Sequence, residues 1–208
     1  MQQPFFLFSL LTGAILWLTA CQPLIVEPEP PVAVAAAAIQ PADPIAGADG
    51  LGDPLYPQLG NGGYDVQHYT IDLTVDVLSN TITGTTTITA LATAPLASFN
   101  LDLSGLTVAT ITVNGVPAAF TRTGYELNIT PAVPLPVDQP FTATVAYSGS
   151  PEAIADPGIP FAGVGWLDYD EDGIYVFSEP SGAMSWYPVN NHPLDKATYT
   201  FRITAPEP

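Results

Sequence analysis

Asp168, Asp170 and Asp172 stand at alternate positions, with Gly173 sixth and Glu179 twelfth when counted from Asp168. Carboxylates and a glycine at that spacing are those of a calcium loop, in which oxygen ligands surround a hard cation and the last acid closes the loop. Against this, Val176 at the ninth position has no side-chain oxygen, the run from Ile174 to Phe177 has strand composition, and Pro180-Ser181-Gly182 opposes an exit helix. An acidic hairpin turn is the competing reading of the same residues. The chain holds two histidines, His68 and His192. Hydrolytic zinc chemistry needs two imidazoles one helical turn apart with a glutamate base between them, the pattern His-Glu-x-x-His, and neither histidine begins it. His192 lies beside Asn190, Asn191 and Asp195, but no serine at useful spacing completes a nucleophilic triad. Trp166, Tyr169, Tyr175, Trp186 and Tyr187 form either a stacking platform for a ligand ring or part of a β-sheet core.

The elements that carry these residues read as strands. Tyr69, Ile71, Leu73, Val75 and Val77 alternate with Thr70, Asp72, Thr74 and Asp76, the period of a half-buried strand. Ser79-Asn80 supplies a turn, and a second alternating run follows from Thr81 to Ala90, which predicts a long hairpin. Further short strands are predicted around Phe99 to Leu103, Ile111 to Val113, Tyr125 to Ile129, Phe141 to Tyr147, Ile174 to Phe177 and Tyr199 to Ile203. Asn114-Gly115 marks another tight turn. Frequent short strands with Gly and Pro punctuation and no convincing helix give an all-β fold, an antiparallel sandwich or curved sheet. Twenty acidic residues against three basic ones give a formal net charge of −17, which repels phosphate backbones and excludes nucleic acid as a natural partner.

Residues 5 to 20 form an apolar run too short to span a bilayer, as expected of a signal-peptide core. The run ends in Leu18-Thr19-Ala20-Cys21, which resembles the lipobox of bacterial lipoproteins. That resemblance implies cleavage before Cys21, acylation of its thiol, and an exported chain lipid-anchored at the bacterial cell envelope. Cys21 is the single cysteine, so an intrachain disulfide is excluded. Residues 22 to 52 hold six prolines and eight alanines without sustained periodicity, the composition of a spacer. The expected organisation is a leader over 1–20, the lipidated cysteine and linker over 21–52, and one folded β domain over 53–208.

Three stretches carry a family resemblance: Asn61-Gly62-Gly63-Tyr64-Asp65-Val66-Gln67-His68-Tyr69; the run Phe99 to Leu106 followed by Val113-Asn114-Gly115; and Glu179-Pro180 with Ala183, Tyr187-Pro188, His192-Pro193 and Lys196-Ala197-Thr198-Tyr199. Together they resemble the N-terminal domain of the aminopeptidase N family of zinc metallopeptidases. The resemblance implies a saddle-shaped β domain that packs on a thermolysin-like catalytic domain and contributes one edge of the substrate cleft. It assigns Glu179 to the free α-amine of the peptide substrate, which a fixed carboxylate holds by charge-assisted hydrogen bonds. Zinc is implied for a catalytic domain outside this chain, and no cofactor within it. Phe177 stands where many members have glutamine, and Met184 where arginine is common. The chain stops about where the resemblance places the catalytic domain, so the expectation is a fragment without a catalytic centre of its own. The alternative is a free-standing, surface-anchored β-sandwich binding module using the same fold.

Overall fold

The structure is a computed structural model, and it describes residues 42–169 and 173–207. Its strands are β1 (Ile45–Ala46), β2 (Tyr64–Asp76), β3 (Thr81–Ala92), β4 (Leu96–Asp102), β5 (Thr107–Val113), β6 (Val116–Pro117) and β7 (Ala119–Thr123). They continue with β8 (Glu126–Thr130), β9 (Pro140–Gly149), β10 (Ile154–Asp156), β11 (Ile159–Asp168), β12 (Ile174–Phe177) and β13 (Thr198–Thr204). A 3₁₀ turn, Gly182–Ser185, lies between β12 and β13. Sheet order is β13-β2-β3-β9-β5-β6, β1-β4-β8-β7 and β10-β11-β12.

The β2–β3 hairpin follows from its sequence. Thr and β-branched residues alternate along both strands, and Asp76 Oδ1 accepts from the backbone N–H groups of Leu78 (3.1 Å) and Ser79 (3.2 Å) to start the turn. Asn80 then takes φ 45°, a left-handed conformation that asparagine tolerates. The inward rows of β2 are out of phase: Tyr64 and Val66 point in, then Tyr69, Ile71, Leu73 and Val75. A bulge between Val66 and His68 makes that change of phase, because one extra residue swaps the two faces of a strand. Gly84 lies opposite Tyr147, and a Cβ there would sit 2.4 Å from the tyrosine ring, so the close approach of the ring requires glycine.

The inner faces of the six- and four-stranded sheets share one apolar core that includes Ile71, Ile88, Leu101, Leu127, Ile129 and Val145. Tyr64, Phe99 and Phe141 form a mutual cluster there, with ring centroids 5.2 to 6.0 Å apart. Each such large side chain contributes about 1.5–3 kcal/mol on burial.

Two pairings depart from an antiparallel arrangement. β13 lies parallel to β2, Thr198 beside His68 through Thr204 beside Thr74, and β1 lies parallel to β4. The second lies ahead of residue 53, the expected start of the folded domain. Ile45 N–H donates to Pro95 O (2.9 Å), Gly47 N–H to Ser98 O (2.8 Å) and Gly62 N–H to Ala48 O (3.0 Å), which docks the end of the expected spacer onto the sheet. A two-residue strand, exposed on both residues, is too short to show a periodic pattern. The leader, Cys21 and the spacer up to residue 41 lie outside the described residues.

Candidate functional site

The segment between β12 and β13 carries most of the residues singled out by sequence. Glu179 lies two residues beyond the end of β12, is exposed, and precedes Pro180 through a cis peptide bond. It makes no hydrogen bond or ion pair with any described residue. Around it the backbone is fixed. Gly182 N–H donates to Ser178 O (2.7 Å), and Trp186 Nε1 donates to Ser178 Oγ (3.1 Å). The Ser181 hydroxyl donates to Asp156, which also accepts from Tyr56 Oη and Gly158 N. Ser185 Oγ bridges Gly182 O (2.8 Å) and Trp166 N (2.9 Å). A free carboxylate is thus carried on a rigid turn.

Farther along, the segment ties into the four-stranded sheet. Val189 and Asp102 exchange backbone hydrogen bonds of 2.8 and 3.0 Å. Asn190 takes both backbone groups of Asn61, accepting from its N–H at 2.6 Å and donating to its carbonyl at 3.1 Å, and Asn190 N–H donates to Tyr69 Oη (3.0 Å). Asn191 Nδ2 donates to Ser181 O (2.7 Å). Asp102 Oδ2 accepts from Asn191 N (2.8 Å) and Asn61 Nδ2 (3.0 Å). Every member is buried, and the network joins the entry of β2, the end of β4 and the Glu179 segment.

Asp102 has a second partner of its own charge. It stands directly opposite Glu126 in the β4–β8 ladder. Asp102 Oδ1 and both Glu126 carboxyl oxygens are buried without any donor from the described residues. Burial pushes the Asp102 carboxyl up, and burial together with its facing neighbour pushes Glu126 up to about 9. Two such carboxyls satisfy each other when they share one proton.

His68 is a satisfied surface residue: its ring nitrogens lie 2.7 and 3.1 Å from the hydroxyls of Thr198 and Thr200. His192 is buried in the loop, where Nδ1 accepts from Leu194 N (3.2 Å) and Nε2 faces Asp53 Oδ2 at 3.7 Å. Asp168 ends β11 and is exposed, whereas Asp170 and Asp172 fall outside the described residues. Tyr169 N–H donates to Gly173 O (3.0 Å), and Asp168 pairs with Ile174. Strands β11 and β12 are therefore the two arms of a hairpin, with Glu179 beyond the far end of β12. A calcium loop needs its last ligand folded back beside its first, which residues 168 and 174–179 do not do. Among the described residues no group of three or more His, Cys, Asp or Glu is placed to hold a metal ion. Trp166, Trp186 and Tyr187 belong to the core, while Tyr169 and Tyr175 are exposed.

Sequence reasoning missed the Asn61, Asp102, Glu126, Asn190 and Asn191 cluster. The only signal was an Asp in a Leu-rich strand: β4 is buried on both faces along residues 99–102, so alternation there does not mark a solvent side.

The sequence pattern of the Peptidase M1 N-terminal domain family matches residues 65–208. Among solved structures, an M1 zinc metallopeptidase mutant from Deinococcus radiodurans bound to a Tyr-Ser-Ala substrate is 37% identical. Its TM-score is 0.69, with 76% of this chain and 36% of that one covered. A two-domain M1 zinc metallopeptidase bound to L-tryptophan gives 37% and 0.70 with the same coverage. Native yeast LTA4 hydrolase, at 24% identity, TM-score 0.54, and 70% and 23% coverage, shares the fold. The chain thus spans about a third of the length of the bacterial relative. A search of curated proteins finds no match.

Proposed function

Since this chain belongs to the M1 metallopeptidase family through its N-terminal domain, we propose that it is the substrate-recognition β domain of an envelope-anchored zinc aminopeptidase. Glu179 presents its carboxylate to the free α-ammonium group of a peptide, and a catalytic domain completes the cleft. The observation that carries this reading is Glu179 itself, an exposed carboxylate with no partner among the described residues, mounted on a turn fixed by Ser178, Gly182 and Trp186. An acid held rigidly and left unpaired has its hydrogen-bonding capacity available for a cationic ligand, at little cost in ordering. The bacterial relative's bound tripeptide is the kind of ligand such a carboxylate would receive. Among the described residues no group of His, Cys, Asp or Glu is placed to hold zinc. Cys21, through its lipid, holds the assembly at the membrane.

The test joins this chain to the catalytic part of the Deinococcus radiodurans relative. In that enzyme Glu179→Ala lowers kcat/KM on free-amine peptides by roughly ten- to a hundredfold, the loss of one charge-assisted bond of about 1.5–3 kcal/mol. Peptides with an acetylated N-terminus are much less affected. An equal loss on both substrates, or none on either, overturns the assignment.

A further inference from the structure

Three carboxyl oxygens gathered at one place lack a donor. Asp102 Oδ1 and both oxygens of Glu126 are buried without a hydrogen-bond partner among the described residues, which is unfavourable for any acceptor removed from water. A proton shared between the two carboxyls serves two of these oxygens and leaves the third unserved. Asp102 is the deeper of the pair, 0% exposed. Its Oδ2 is held by Asn61 and Asn191, while Oδ1 turns to Glu126, opposite it in the β4–β8 ladder. Glu126 is half-buried and forms one wall of a cavity of about 510 Å³.

That cavity offers oxygen and no positive charge. Asp49, Gln58, Thr123 and Tyr125 line it together with Glu126, and none of its lining residues is basic. Asp49 is exposed there, and its charge acts on Glu126. The chain has three basic residues in all. Arg122 donates to the carbonyls of Leu103, Leu106 and Gly124, Arg202 pairs with Asp72, and Lys196 is exposed ahead of β13. A counter-charge for the pair therefore comes from outside the chain.

We infer that the Asp102–Glu126 pair, with Asp49 at its mouth, binds the primary ammonium group of an alkylamine, which enters from this cavity and sits between the two carboxyls. An ammonium group carries three N–H donors, one for each of the three orphan oxygens. A metal ion fits less well: hard cations take six or more oxygens, and among the described residues no three acidic or imidazole groups converge on one point. A guanidinium is a planar fork suited to the two oxygens of one carboxylate, not to two carboxyls facing each other. Pro57 and the ring of Tyr125 flank the cavity and suit a short alkyl stem. Binding exchanges the shared proton for the ammonium: the proton leaves to solvent, and no bond of the ligand is broken. Burial pushes Tyr64, Tyr69 and Tyr125 further up, so the released proton comes from the carboxyls. The inference rests neither on family membership nor on the role given to Glu179.

The experiment titrates the 208-residue chain with n-butylamine by calorimetry near neutral pH, in about 0.15 M salt to screen general charge attraction. Two buffers of different ionisation enthalpy report proton release. Butylamine is expected to saturate a single site, to release about one proton and to raise the melting temperature. Tetramethylammonium, with the same charge and no N–H donor, binds roughly tenfold more weakly or worse. Glu126→Gln sets an amide donor against Asp102 and abolishes butylamine binding with the fold retained. Asp49→Asn, at the exposed rim, weakens it by roughly two- to fivefold, so the result does not hang on one variant. Putrescine and N-acetyl-lysine methylamide distinguish the sources of the group: the tighter of the two identifies a free polyamine or a lysine side chain. Equal binding of butylamine and tetramethylammonium, unchanged binding by Glu126→Gln, or binding without proton release overturns the inference. So does calcium chloride alone stabilising the chain more than any amine does, with that effect lost in Glu126→Gln, which identifies a metal site instead.

Discussion

Glu126 and Asp102 illustrate how much a single pair can set. Neither carboxyl has a basic partner. Arg122, one residue removed in the β7–β8 ladder, spends its guanidinium on the carbonyls of Leu103, Leu106 and Gly124. The other titratable groups near the pair are Asp49, Tyr64, Tyr69 and Tyr125, none of them cationic. Both carboxyls are raised in the folded state, Glu126 from 4.5 to about 9. The folded protein therefore binds more protons than the unfolded chain across that window, and stability falls as pH rises through it. The contribution is fully present below the unfolded value and lost above the folded one. Glu126→Gln supplies a permanent donor to Asp102 and removes most of this dependence. After discounting for the partial exposure of Glu126, the variant is more stable than the parent by about 1 kcal/mol in mild alkali. Melting curves between roughly pH 5 and pH 9 check this, and a variant that keeps the parent's slope refutes the shared proton.

At the scale of elements, the Glu179 turn depends on two glycines in contact. Gly165 of β11 has φ +95°, and a Cβ there would lie 2.2 Å from Ser185 Oγ and 2.5 Å from Gly182 O. A Cβ on Gly182 would lie 2.3 Å from Gly165 N. Only glycine allows the 3₁₀ turn to approach β11 so closely while Ser185 Oγ bonds Trp166 N. Gly165→Ala combines a clash with a disfavoured backbone and is expected to destabilise by about 2–4 kcal/mol. Chemical denaturation measures the cost. Hydrogen exchange of the variant is expected to show the opening concentrated in residues 178–187, with the β2–β3 hairpin little affected. The hairpin is held by its own ladder and by Tyr147 against Gly84, so uniform loosening of both regions counts against a localised role.

For the whole molecule, net charge and the proposed anchor act together. A chain of formal charge −17 is repelled by anionic headgroups, so the proposed attachment rests on acyl chains alone. One acyl chain gives marginal binding, whereas the several expected on a processed lipoprotein cysteine hold firmly. Cys21→Ser is expected to leave the leader uncleaved or to release the protein from the lipid fraction, with the melting temperature of the β domain unchanged. Fractionation and intact mass test this; a wild-type protein without added lipid mass at Cys21 refutes the anchor.

Sequence alone determined what depends on neighbours along the chain. The alternation of Tyr69 to Val75 and of Ile82 to Ala90, the Ser79-Asn80 turn and the Asn114-Gly115 turn are set by side-chain period and local turn chemistry, and each stands in the structure. The spacing of Glu179-Pro180, Tyr187-Pro188 and Lys196-Ala197-Thr198-Tyr199 placed the chain in its family. The tertiary structure decided what depends on partners distant in sequence. It set β13 parallel to β2 some 130 residues away, and docked Ile45–Ala46 beside β4. It also covered both faces of β4, so that Asp102 Oδ1 and the Glu126 carboxyl oxygens face each other buried. Burial of a polar residue is a property of everything packed around it, and one strand's pattern records only its own two faces.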